Sequence, residues 1–153
     1  MVVDIMKLNK ELAYLIGFWK VRSTRDGIGI VGEEEVQQKF VAELLKNKLT
    51  TPERILLKEN IVMFHHIKIR NELLEVVKNQ NDIFARKNKL TAAYIKGMYD
   101  SQGSFENGIL LINNTTFQDQ MLIERLGFYT QRKKGILRIK SPEKFFMFIK
   151  KYE

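Results

Sequence analysis

The chain has no cysteine. That removes disulfide frameworks, thiolate metal sites and thiol nucleophiles, and it points to a cytoplasmic rather than a secreted protein. Proline occurs twice and glycine nine times in 153 residues, too little for a disordered or low-complexity chain. No apolar run approaches the roughly 20 residues of a membrane span, so no membrane partner is expected. Met1 to Asn9 carries an acid too early for a secretory leader, so none is expected there either. Histidine occurs only as the adjacent pair His65 and His66, from which no Ser/His/Asp grouping can be assembled. Acids are outnumbered, with 18 Asp+Glu against 26 Lys+Arg, and the resulting net charge of +8 makes a polyanion the first partner to consider. Hydrophobic residues, at 44%, are enough for a real core, and the length suits one compact domain or two small repeats.

Apolar side chains at Leu8, Leu12, Leu15, Ile16 and Trp19 have the spacing of an amphipathic helix. Asp26-Gly27 tolerates the positive φ of a hairpin turn, and Ile28 to Val31 then reads as a strand. Glu33 to Glu35 place acids at the positive end of a second helix, which Val36, Phe40, Val41, Leu44 and Leu45 continue. Arg54 to Leu57 and Ile61 to Phe64 flank a turn at Lys58-Glu59-Asn60, and Ile69 to Val77 predicts a third helix.

The order then begins again. Ala13-Tyr14-Leu15-Ile16-Gly17-Phe18-Trp19 and Ala93-Tyr94-Ile95-Lys96-Gly97-Met98-Tyr99 match in character, glycine on glycine, which signals an internal repeat. Asn107-Gly108 corresponds to Asp26-Gly27 as a hairpin turn, and Ile123 to Leu126 corresponds to Ala42 to Leu45. Thr115 with Gln118 has capping-box spacing before one helix, and Ser141-Pro142 reads as an N-cap with proline at the first helical position of the last. The expectation is an α+β chain of two αββαββα pseudo-repeats, residues 1–78 and 90–153, joined by a polar linker at 79–89 with a short helical turn of its own. Gly17 and Gly97 lie one helical turn from Ala13 and Ala93, and small residues at that spacing let two helix backbones approach closely.

Leu12 to Trp19 and Tyr94-Ile95-Lys96-Gly97-Met98-Tyr99-Asp100-Ser101-Gln102-Gly103 resemble the two signature helices of a LAGLIDADG homing endonuclease in its single-chain, two-repeat form. The resemblance covers nearly the whole chain. It implies a saddle in which two antiparallel sheets straddle DNA and the signature helices, here with Ala13, Gly17, Ala93 and Gly97, pack together at a pseudo-twofold axis. In that family the acid before the final glycine of each signature helix binds the divalent metals that activate water. Setting Gly17 and Gly97 on the motif's internal glycine places Arg22 and Gln102 at those positions, a cation and a neutral amide. Asp100 occupies the motif's earlier acidic position, which the resemblance makes structural. The implied function is therefore duplex DNA binding by a monomer with a degenerate nuclease centre and no cofactor. Two alternatives stand beside it: a metal-dependent endonuclease with residual activity and Mg²⁺, and an RNA-binding splicing cofactor of the maturase kind, with structured RNA as its partner.

Gly27 to Gly32 spells G-x-G-x-x-G, but the segment before it, Val21 to Arg25, is charged where a dinucleotide site needs a buried strand, so the stretch reads as a hairpin strand. His65 and His66 point to opposite faces if they end a strand, which disfavours joint metal chelation. Asp26 reads as a turn residue rather than a metal ligand. The candidate nucleic-acid contacts are Arg22 and Arg25 beside the first hairpin, and Arg132, Lys133, Lys134, Arg138 and Lys140 on the last. Strand alternation divides Arg138 and Lys140 from Leu137 and Ile139, and several cations on one exposed sheet face are what a β-surface in a major groove needs. Tyr129, Thr130 and Gln131 add hydrogen-bonding groups nearby.

Overall fold

The computed structural model describes residues 7–153. Among them are helix α1 (Lys10–Lys20), strand β1 (Ile28–Val31), helix α2 (Glu34–Lys46), a 3₁₀ turn (Pro52–Arg54), strands β2 (Leu56–Lys58) and β3 (Ile61–Phe64), and helices α3 (Ile67–Lys78) and α4 (Gln80–Ile83). Then come α5 (Lys89–Gln102), β4 (Gly103–Glu106), β5 (Ile109–Ile112), α6 (Phe117–Arg125), β6 (Thr130–Lys133), β7 (Ile136–Ile139) and α7 (Pro142–Lys151). The fold is mixed α and β, with two antiparallel sheets ordered β1-β3-β2 and β4-β5-β7-β6.

The second half has the expected order αββαββα. The first half lacks a strand, because Val21 to Arg25 contributes only an isolated bridge between Ser23 and Ile30. The reason lies in the side chains: Arg22 turns away to bind carbonyls elsewhere, and Thr24 Oγ1 donates to the Asp26 carbonyl at 2.7 Å, curling the chain locally. The G-x-G-x-x-G stretch is strand β1, where a Cβ on Gly29 would stand 2.4 Å from the Cβ of Met63 on the neighbouring strand.

Local signals set the element ends. Asn9 and Asn88 cap α1 and α5, their Oδ1 atoms accepting from Leu12 N at 2.8 Å and Thr91 N at 2.9 Å. The capping box of α6 is Thr116 with Asp119, one residue beyond the Thr115–Gln118 pair that spacing suggested. Thr115 is instead buried, its hydroxyl donating to the Gly135 carbonyl at 2.8 Å. Ser141 precedes Pro142 as the cap residue of α7 but makes no side-chain capping bond. Helix α3 starts two residues earlier than periodicity predicted, because His66 ends the strand segment as an N-cap, its Nδ1 accepting from Ile69 N at 3.2 Å. Asn107-Gly108 and Lys134-Gly135 both have two successive positive φ values (52° and 77°, 52° and 79°), the conformation that two-residue hairpins require.

Helices α1 and α5 form the centre. A Cβ on Gly17 would stand 2.0 Å from Tyr94 O, and one on Gly97 would stand 2.2 Å from Tyr14 O, so the backbones touch through both glycines in a reciprocal pattern. Ala13 is fully buried and Ala93 half-buried beside them. One core gathers Phe18, Trp19, Ile28, Phe40, Val62, Phe64 and Leu73 of the first half together with Phe84, Tyr94, Met98 and Leu122. A second lies between sheet β4–β7 and helices α5, α6 and α7, around Leu110, Ile112, Leu137, Phe145 and Phe148. The segment 79–89 is more than a spacer: Gln80 and Phe84 are buried, and the Phe84 ring stacks on Tyr94 with centroids 4.0 Å apart. No helix among the described residues is long and apolar enough to cross a membrane.

Candidate nucleic-acid interface

Parallel packing of α1 on α5 brings their C-terminal ends together, and the unsatisfied carbonyls there decide what Arg22 and Gln102 do. Arg22 Nε donates to Ser101 O at 2.8 Å and its Nη1 to Val31 O at 3.0 Å. Gln102 Nε2 donates to Val21 O at 3.1 Å, and Asn114 Nδ2 to the same oxygen at 2.7 Å. The two helix ends are clasped by a guanidinium and two amides. Half-burial draws the Arg22 pKa down, the Glu33 charge acts in the other direction, and the group keeps its charge at neutral pH.

These residues do not fit a divalent metal centre. Hard cations need anionic oxygen, whereas the helix ends present a fixed positive charge and amide N–H groups. Among the described residues no three of His, Asp and Glu come together in a group able to hold a metal ion. Asp100 lies apart from the clasp, exposed, accepting from Tyr14 Oη at 2.6 Å with the Lys96 ammonium 3.9 Å away. Burial, the Asp100 hydrogen bond and the Asp100 charge all push the Tyr14 hydroxyl far above its usual pKa, so it stays a donor.

The sheet β4-β5-β7-β6 presents the basic face. Leu137 and Ile139 are buried against the helices, while Ile136, Arg138 and Lys140 alternate with them on the open side. Register places Lys133 opposite Ile136 and Gln131 opposite Arg138, so both share that open side. Lys133, Lys134, Arg138 and Lys140 are exposed, and no salt bridge among the described residues involves them. Tyr129, 78% exposed, stands at the same end.

Arg132 departs from the expected grouping. It pairs with Leu137 on the covered side, and its Nη2 donates to Thr115 O at 2.7 Å, so this guanidinium braces the β5–α6 loop instead of joining the open face. Arg22 departs in the same way, through the clasp. The first sheet differs from the second: its open side carries Gly29, Val31, Ile61, Met63 and Leu56, with Lys58 as the cation, while Arg25 stands exposed in the turn before β1.

One buried network escaped the sequence reading. Lys20 pairs with Asp119 across α1 and α6, Gln80 Nε2 donates to the same Asp119 oxygen at 2.8 Å, and Tyr94 Oη donates to Gln80 Oε1. Burial alone raises the Asp119 carboxyl, but the Lys20 ammonium and the hydrogen bonds from Gln80 and the Thr116 N–H outweigh it and hold the pKa below the ordinary carboxylate value. A signal was present, since Leu12, Ile16 and Lys20 share one helical stripe and a lysine ending an apolar stripe needs a buried partner. Nothing comparable announced Asn114. Comparison with protein-family models, curated proteins and solved structures gives no match to this chain.

Proposed function

We propose that this chain binds duplex DNA as a monomer, built as a single-chain pseudo-repeat saddle of the LAGLIDADG kind whose nuclease centre has been replaced by a structural clasp. The observation that carries the reading is the open face of the second sheet, where Lys133, Arg138 and Lys140 stand together, exposed and free of ion pairs among the described residues. Unpaired cations spaced along a β-surface suit phosphates and base edges, and the arginine suits the O6 and N7 acceptors of guanine. The reciprocal contact of Gly17 and Gly97 supports the pseudo-twofold arrangement, which would set the two sheets on either side of one axis. Arg22 and Gln102 support the absence of metal-dependent cleavage.

The test is selection of bound sequences from a random duplex pool, followed by incubation of the winners with Mg²⁺ or Mn²⁺. The expected result is a preferred duplex that is retained and left uncut. Double-strand cleavage that depends on the metal and disappears in Asp100→Asn would overturn the nuclease-free part. Structured RNA that displaces the selected duplex at equal concentration would move the partner to RNA.

A further inference from the structure

A cleft of about 420 Å³ opens between the end of α1, the last turns of α3, the linker and the β5–α6 loop. Its volume lies within the roughly 300–1,000 Å³ of small-molecule sites. One wall is apolar, made by Trp19, Leu74 and Val77. The other is polar and rich in donors: Ser23, Lys78 and Gln118 are exposed along it, and Thr116 with Gln118 brings the first turn of α6, the positive end of that helix, to the rim. None of the lining residues is Asp or Glu.

The absence of acidic side chains from its lining singles this cleft out. The other sizeable groove, around Tyr14, mixes Glu11, Glu43 and Glu153 with Lys10, Lys39, Lys46 and Lys96, so an anion there would meet three carboxylates. In the cleft beside Trp19 the Lys20 charge is already matched by Asp119, while Lys78 makes no salt bridge among the described residues. The indole Nε1 of Trp19, a residue 2% exposed, has no hydrogen-bond partner among the described residues. An indole N–H can only donate, and a buried donor without an acceptor is unfavourable.

We propose that this cleft binds a phosphomonoester with a planar heteroaromatic body, the chemistry of a nucleoside monophosphate. The body lies against the apolar wall of Trp19, Leu74 and Val77. The phosphate, with several acceptor oxygens, takes the Lys78 ammonium, the Ser23 hydroxyl, the Gln118 amide and the first turn of α6. The inference does not depend on the duplex-binding face.

Trp19 is the single tryptophan of the chain and lines the cleft, so its emission responds to binding there. The full chain is titrated with adenosine 5′-monophosphate, with adenosine and with inorganic phosphate. The nucleotide is expected to give a saturable change at concentrations where neither fragment does. Lys78→Met, at an exposed position that folding tolerates, should weaken the nucleotide about tenfold, the scale of one charge-assisted hydrogen bond, while leaving any response to adenosine unchanged. Val77→Phe should fill the cleft and abolish the response, with circular dichroism confirming a folded chain. A nucleotide that binds no better than adenosine, or equally well to Lys78→Met, overturns the proposal. A duplex carrying a 5′-phosphate, compared with the same duplex lacking it, identifies the source: displacement by the phosphorylated end alone assigns a strand terminus, and displacement by neither assigns a free nucleotide.

Discussion

Gly17 and Gly97 are irreplaceable for a steric reason that helix propensity opposes. Alanine is favoured over glycine inside a helix by about 1 kcal/mol, yet here its methyl would meet a backbone carbonyl, which cannot swing aside as a side chain can. Gly17→Ala and Gly97→Ala are each expected to destabilise the fold by roughly 1–3 kcal/mol or more, read as a lowered midpoint in urea. The Lys20–Asp119 pair makes a second demand at the same scale. Removing one partner strands a buried charge, so Asp119→Asn should cost about 3–5 kcal/mol, and adding Lys20→Met to that variant should recover part of the loss, because no buried charge then remains. The pH dependence follows from the depressed carboxyl. The stability Asp119 contributes is fully present above the unfolded value of 3.8 and is lost as pH falls through the lower folded value. Acid titration of unfolding should therefore show a steeper fall below that point in the parent chain than in Asp119→Asn.

Among the elements, the β6–β7 hairpin separates two roles that its sequence runs together. Arg132, Lys133 and Lys134 are consecutive, but pleating sends Arg132 to the covered side and Lys133 to the open one. Changing Lys133, Lys134 and Lys140 to Ala should flatten the salt dependence of duplex binding by up to about 3 units if each neutralises a phosphate. Arg132→Ala should leave that slope unchanged and lower stability instead, because Thr115 loses its brace. Salt titrations and urea melts on the two variants separate these outcomes. Strand β7 explains why alternation worked as a guide, since its covered residues Leu137 and Ile139 lie in the second core and a one-residue slip would bury Arg138.

Across the molecule, the two halves share a core. Phe84 from the linker and Tyr94, Met98 and Leu122 from the second half sit with Phe18, Phe40 and Phe64 of the first, so neither half can lose its packing alone. Unfolding by urea should be one cooperative transition by fluorescence and by circular dichroism, and Phe84→Ala should lower the unfolding free energy by about 3–5 kcal/mol without splitting the transition. For duplex binding, the exposed cations Arg25, Lys58, Lys133, Lys134, Arg138 and Lys140 set the scale of the electrostatics. At about −0.9 per phosphate contact, they correspond to a slope of about −5 in the logarithm of affinity against the logarithm of salt. A slope near zero would leave the charge as solubility alone.

Local pattern by itself determined the helices around Gly17 and Gly97, the alternating faces of β7 and the Asn107-Gly108 hairpin, because each depends on neighbours within a few residues; the Asp26-Gly27 hairpin it also predicted is not formed, since no strand precedes that turn. It also paired Gly17 with Gly97, since a repeat in sequence carries a repeat in packing. Tertiary structure decided what the charged and amide side chains do. Arg22 and Arg132 carry the charge of groove-reading residues, but each lies within reach of carbonyls left open by a helix end or a loop. Satisfying a half-buried carbonyl outweighs staying in solvent. Asp119 reads in sequence as the third residue of a helix. It becomes the hub of a buried network only because α1 delivers Lys20 and the linker delivers Gln80 to the same point, and convergence of segments so far apart along the chain leaves no mark in any local pattern.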